Sequence, residues 1–159
     1  MLDDANPHDG RLWSAEVMPE LHDLVISRGI RFTDFHGEVP LCGPSRANLL
    51  TGQHAHNSGA NSNNGAQLDV STTIATELDR AGYHTAYVGK YLTGYRKFGP
   101  EQYHPPGRDD YDVINSNQGK YFWYQIPDRD GKTRQHRTDE DDYSTDVIAD
   151  IAVKRIRGA

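Results

Sequence analysis

The run Cys42-Gly43-Pro44-Ser45-Arg46-Ala47-Asn48-Leu49-Leu50-Thr51-Gly52 decides how the rest of the chain is read. Good helix formers fill Ser45 to Thr51 and Gly52 follows them, so a helix is predicted to begin at or just after Cys42 and to stop at Gly52. A nucleophile at that point would sit among the unpaired N–H groups of a helix start and at the positive end of its dipole, where an anion is stabilised. Arg46, one turn further along, is placed to reach back and neutralise charge there. Cys42 is the single cysteine of the sequence, so no internal disulfide can form. Its plain reading is a small buried hydrophobe, and only its neighbours argue otherwise.

Working outward, Met18 to Arg28 places Met18, Leu21, Leu24 and Val25 on one helical face, with Pro19 in the first turn and Gly29 past the end. Ile30-Arg31-Phe32-Thr33-Asp34-Phe35 reads as a strand leading into the Pro40-Leu41-Cys42 turn. Downstream, the Asn- and Gly-rich stretch His54 to Gly65 reads as a loop. A helix is predicted from about Thr72 to Ala81, with Ile74, Ala75 and Leu78 on its face and Gly82 as its stop.

His84-Thr85-Ala86-Tyr87-Val88 is predicted as a strand running into Gly89-Lys90. Helix, loop and strand in this order suggest crossover units on a parallel sheet, where binding residues gather at the carboxyl ends of strands. Cys42 and Lys90 both fall at such ends. Tyr91 to Arg137 reads as loop-rich, with Tyr121 to Ile126 as a strand meeting Lys132-Thr133-Arg134 across a turn at 127–131. A final helix is expected from about Ser144 to Arg157, facing inward through Val147, Ile148, Ile151, Ala152 and Ile156, with Ser144 or Thr145 as its N-cap.

A chain of 159 residues with 25% charged and 35% hydrophobic residues has the size and composition of one soluble globular domain with long loops. Its net charge of -6 argues against a nucleic-acid partner, which would need Lys and Arg gathered on one face. The same acidic balance means that an anion site must rest on local cations. No apolar run is long enough to span a membrane, and no signal peptide is readable at Met1, which leaves the compartment open. His54-Ala55-His56 has the spacing of some metal pairs but is read as structural, and Asp139 to Asp142 is read as a solvated acidic run ahead of a helix.

Cys42-x-Pro44-Ser45-Arg46 with Leu50-Thr51-Gly52 resembles the signature of the type I sulfatases. The resemblance implies that a formylglycine-generating enzyme oxidises Cys42 to formylglycine, whose hydrated gem-diol attacks the sulfur of a sulfate ester. The second hydroxyl then expels sulfate and regenerates the aldehyde. Asp3-Asp4, 38 to 39 residues before Cys42, resembles the family's metal-binding Asp pair, and its hard oxygens favour Ca²⁺, or Mg²⁺, held together with Cys42 once converted. Gly89-Lys90 resembles the strand-end Gly-Lys whose lysine contacts nucleophile and sulfate.

Many sulfatases carry a His two residues after that lysine, where this chain has Leu92. Gly89-Lys90-Tyr91-Leu92, Tyr95 and Pro105-Pro106-Gly107 are similar instead to N-acetylglucosamine-6-sulfatases and heparan endosulfatases, as are His56-Asn57, Asn63-Asn64 and Tyr143-Ser144-Thr145-Asp146. His54, Ser58 and Arg108 depart from that pattern. The resemblance implies an α/β, alkaline-phosphatase-like sulfatase fold, a mostly parallel mixed sheet sandwiched by helices. On this reading residues 1–159 are the N-terminal portion of one catalytic domain, truncated at both ends and lacking a later Asp-Asn metal pair, a His and a second Lys. The expected substrate is a sulfated carbohydrate or an aryl sulfate; the alternatives are a fragment without turnover and a phosphoester hydrolase of the same fold.

Overall fold

The computed structural model describes residues 2, 5, 10–64, 68–95, 104–114, 121–127 and 132–159. The chain divides into two compact units, 1–38 and 39–159.

In the first unit α1 (Pro19–Leu21) opens with Pro19 at its first position, where a missing N–H costs nothing. The chain continues as a wider π-helical turn over His22–Ile26, closed by Ser27 N–H donating to the His22 carbonyl at 2.9 Å. The helix expected over 18–28 therefore forms in a widened variant, and Leu24 and Val25 of its predicted inner face are exposed. The strand expected over 30–35 does not form: these residues have no ladder partner among the described residues, and Ile30, Phe32 and Phe35 stand in solvent. A β-rich run without a neighbouring strand cannot satisfy its backbone groups by pairing.

The second unit begins with α2 (Cys42–Thr51), in register with the sequence-based expectation, and ends it on a left-handed Gly52. Gly43, Pro44, Arg46, Ala47 and Leu50 are its buried residues. Within the expected loop from His54 to Gly65 a short helix, α3 (Ala55–Ser58), interrupts the run, and the rings of His54 and His56 stack 5.5 Å apart. α4 (Ile74–Arg80) is capped by Thr73 in a reciprocal box with Thr76. Its buried residue is Thr76, whereas Ile74 of the expected apolar face is exposed. Gly107 explains the inversion, because it approaches so closely that a Cβ there would lie 2.5 Å from the Thr76 backbone.

β1 (Ala86–Gly89) pairs in parallel with β2 (Asp110–Val113), register Ala86↔Asp110 to Gly89↔Val113. β2 lies in the stretch read as loop-rich, and its Asp-Tyr-Asp-Val sequence hides it. Tyr111 and Val113 join a core with Ala47, Leu50, Ala60, Leu68, Tyr91, Leu92 and Tyr95. Asp110 and Asp112, alternating with them, are buried and held by Arg155 of α5 (Ser144–Gly158). Burial of two carboxylates is tolerated because a guanidinium pairs with both.

β3 (Tyr124–Pro127) and β4 (Thr133–His136) form an antiparallel hairpin. The predicted pairing across a turn is thus present, shifted by a few residues, and 128–131 of that turn lie outside the described residues. His136 is buried, stacked on Tyr124, with Nδ1 2.8 Å from the Asp142 carboxylate, which also accepts from the Arg137 N–H. Part of the acidic run is therefore a clasp and not a solvated face. The N-cap of α5 is Tyr143, without a side-chain cap bond, in place of the expected Ser144 or Thr145; Ser144 is drawn into the interior as its N–H donates to the Tyr121 carbonyl.

Candidate active site

Cys42 is the first residue of α2 and half-buried. The helix starts there because Leu41 is still extended while its carbonyl accepts the first helical bond, from Ser45 N–H at 3.1 Å. Beyond Cys42 itself, the donors of this first turn are not open to a ligand in the way the sequence suggests. Gly43 N–H donates to Asn63 Oδ1 at 2.9 Å, Ser45 N–H is used within the helix, and Pro44 has none. What α2 offers an anion at Cys42 is its dipole and the N–H of Cys42 itself, so full charge must come from side chains.

Arg46 is 6% exposed and turns its Nη1 to the Lys90 carbonyl at 2.8 Å. The Tyr87 hydroxyl donates to the same carbonyl at 2.8 Å. Two donors on one acceptor fix the point where the chain leaves β1, immediately after Gly89, whose φ of 107 lies in the left-handed region that suits glycine. Lys90 itself is exposed. Behind this corner the Tyr91 ring meets Tyr87, Tyr95 and Tyr111 edge-on, and the Arg108 guanidinium lies 5.5 Å from the Tyr87 ring centre and 5.0 Å from that of Tyr91. Burial pushes the Tyr91 and Tyr111 phenols well above their ordinary value, so these rings stay neutral supports.

The structure thus brings Cys42, Arg46 and the Lys90 backbone into one corner, with the Arg46 cation directed at the strand end. Asp3 and Asp4 lie outside the described residues. Two further neighbours of Cys42 went unassigned in the sequence: Asn63 Oδ1 at 3.5 Å and Thr93 Oγ1 at 3.6 Å from the sulfur. Asn63 stood out only as half of an Asn pair, and nothing local marks Thr93, since they are 21 and 51 residues from Cys42. Leu92 is buried in the core, so the polar group beside the sulfur comes from the following residue.

The Sulfatase family profile matches residues 4–158, and the chain belongs to the sulfatase family. Among curated relatives, the extracellular sulfatase SULF-1 homologue of Drosophila melanogaster is 32% identical over 159 residues, covering 95% of this chain and 14% of that protein. The N-acetylglucosamine-6-O-sulfatase of Bacteroides thetaiotaomicron is 32% identical over 137 residues, 82% of this chain and 22% of that protein. The solved structure of BT4656 in complex with its substrate D-glucosamine-2-N,6-O-disulfate matches with a TM-score of 0.65 and 29% identity, over 82% of this chain and 24% of its own. The fold is therefore the α/β sulfatase fold of the alkaline-phosphatase-like type that the signature implied. The chain spans between 14% and 24% of the length of these relatives. No helix among the described residues is long and apolar enough to cross a membrane.

Proposed function

We propose that this chain supplies the nucleophile-bearing part of a sulfuric ester hydrolase, in which Cys42, oxidised to formylglycine by a formylglycine-generating enzyme, is the attacking residue. The observation that supports this most is the corner itself: the first residue of α2 stands beside the end of β1, with Arg46 bonded to the Lys90 carbonyl. Cys42 holds the reacting centre, and Lys90, exposed at the strand end, is the cation positioned to meet sulfate oxygens. Arg46 acts mainly through the backbone it holds.

The donor chemistry of the chain suits a hard divalent ion. Asp3 and Asp4 would hold Ca²⁺ or Mg²⁺ through carboxylate oxygens, and Cys42 suits the same ion only after its soft sulfur has been replaced by oxygen. Such an ion would supply charge neutralisation at the anionic nucleophile and the sulfate. The relative named N-acetylglucosamine-6-O-sulfatase and the complex with a glucosamine disulfate favour the 6-O-sulfate of a glucosamine unit in a glycosaminoglycan as substrate, ahead of an aryl sulfate.

Mass spectrometry of the Cys42 peptide after co-expression with a formylglycine-generating enzyme tests the nucleophile, and the expected product is the aldehyde or its hydrate. A thiol that stays unmodified under those conditions rules the formylglycine assignment out. Full-length protein assayed on glucosamine 6-sulfate should lose all turnover on Cys42→Ala, and equal activity of that variant would exclude Cys42 from the chemistry.

A further inference from the structure

The sulfur of Cys42 has two polar neighbours that the proposed reaction leaves unused, and their proton roles follow from valence. The Gly43 N–H can only donate and lies 2.9 Å from the Asn63 side chain, so the Asn63 atom that faces α2 is its carbonyl oxygen. That oxygen only accepts, and it lies 3.5 Å from the Cys42 sulfur with a second lone pair to offer. The one thiol proton therefore goes to Asn63. Only lone pairs then remain on the sulfur for Thr93, 3.6 Å away, so the Thr93 hydroxyl is the donor. An acceptor stands on one side of the reacting atom and a donor on the other.

Sulfur is a weak partner for either group. Two hydroxyls on one carbon would use both fully, one giving its proton to Asn63 and the oxygen of the other receiving that of Thr93. We propose that Asn63 and Thr93 clamp the group derived from Cys42 in its hydrated form, Asn63 as acceptor and Thr93 as donor. This rests on the formylglycine reading. Hydration adds one water across the aldehyde C=O, with no change of oxidation state and no further reactant. Asn63 and Thr93 are both exposed, so water reaches them directly, and a Cβ on residue 43 would stand 2.8 Å from Asn63 Oδ1, so glycine there is what lets the amide come this close to α2.

The test labels the aldehyde of the converted chain with a hydroxylamine probe, which reacts with the free aldehyde and not with the hydrate. Thr93→Val and Asn63→Ala should each label about threefold faster, the lower end of what one hydrogen bond contributes, and Thr93→Ser should match the parent. A Thr93→Val chain that melts like the parent and labels at the parent rate overturns the clamp. If the parent chain is never converted, the formylglycine reading fails, while the proton assignment is still decided on the thiol. Iodoacetamide should then alkylate Asn63→Ala about threefold faster and Thr93→Val about threefold slower, because one variant loses the acceptor of the thiol proton and the other a donor to the sulfur. Shifts of the same sign in both variants, or none, refute it.

Discussion

At Lys90 the backbone carbonyl is a tie between elements. It accepts from a buried cation, Arg46, and from a neutral phenol, Tyr87, both at 2.8 Å. Hydrogen bonds from charged groups contribute roughly twice as much as neutral ones. Arg46→Ala should therefore lower stability by about 2 kcal/mol and Tyr87→Phe by about 1 kcal/mol in urea unfolding, and the reverse order would show that Arg46 is not the main tie. Of this corner, Cys42, Arg46 and Lys90 were legible in the sequence because the signature and the helix stop at Gly52 are local. Asn63 and Thr93 were not, since a loop amide and a hydroxyl after a strand acquire meaning only when folding sets them on either side of one sulfur atom. Of the helix-start N–H groups, which the sequence offered as anion donors, that of Gly43 is taken by Asn63 and that of Ser45 by the helix itself.

Among the elements, α5 does most to secure the parallel pair. Arg155 makes a two-pronged contact with Asp112, at 2.7 and 3.0 Å, and reaches Asp110 at 2.9 Å, and His84 closes on Asp110 at 2.8 Å. Arg155→Ala would leave two buried carboxylates without their cation, and a loss of about 3 kcal/mol is expected by urea unfolding. Arg157→Ala, on the exposed end of the same helix, should stay within about 0.5 kcal/mol. Equal losses in the two variants would mean that net charge, and not the pairing, is being measured. β2 escaped sequence reading for this reason: its acidic residues look like surface until a helix more than 40 residues later supplies the partner. The 30–35 run is the opposite case, β-rich in composition but without a neighbour to pair with among the described residues.

For the second unit taken as a whole, the buried aromatic residues set the alkaline limit and the hairpin clasp bears on the acid one. Burial, with the Asp142 charge adding to it, pushes the Tyr124 phenol up to about 12 from its usual 10. A group whose value is raised on folding supports the fold fully below 10, and that support fades as the pH climbs to about 12. Tyr124→Phe removes a buried hydroxyl that has no hydrogen-bond partner among the described residues, so it should fold as well as the parent and unfold at higher pH; circular dichroism against pH checks this, and a lower alkaline midpoint would contradict it. At the acid end Asp142, held below the usual carboxylate range by the Arg137 N–H and then by His136, supports the hairpin above that range and loses hold as the pH falls through its lowered value. By itself the sequence determined the family, the start of α2 at Cys42, most of the helices and the placing of Lys90 just after a strand. These depend on local periodicity, caps and a contiguous motif. Only the tertiary structure decided that β2 is a strand, that Arg46 holds a carbonyl and that Asn63 and Thr93 flank Cys42. Each of these depends on a partner far along the chain, which no local pattern encodes.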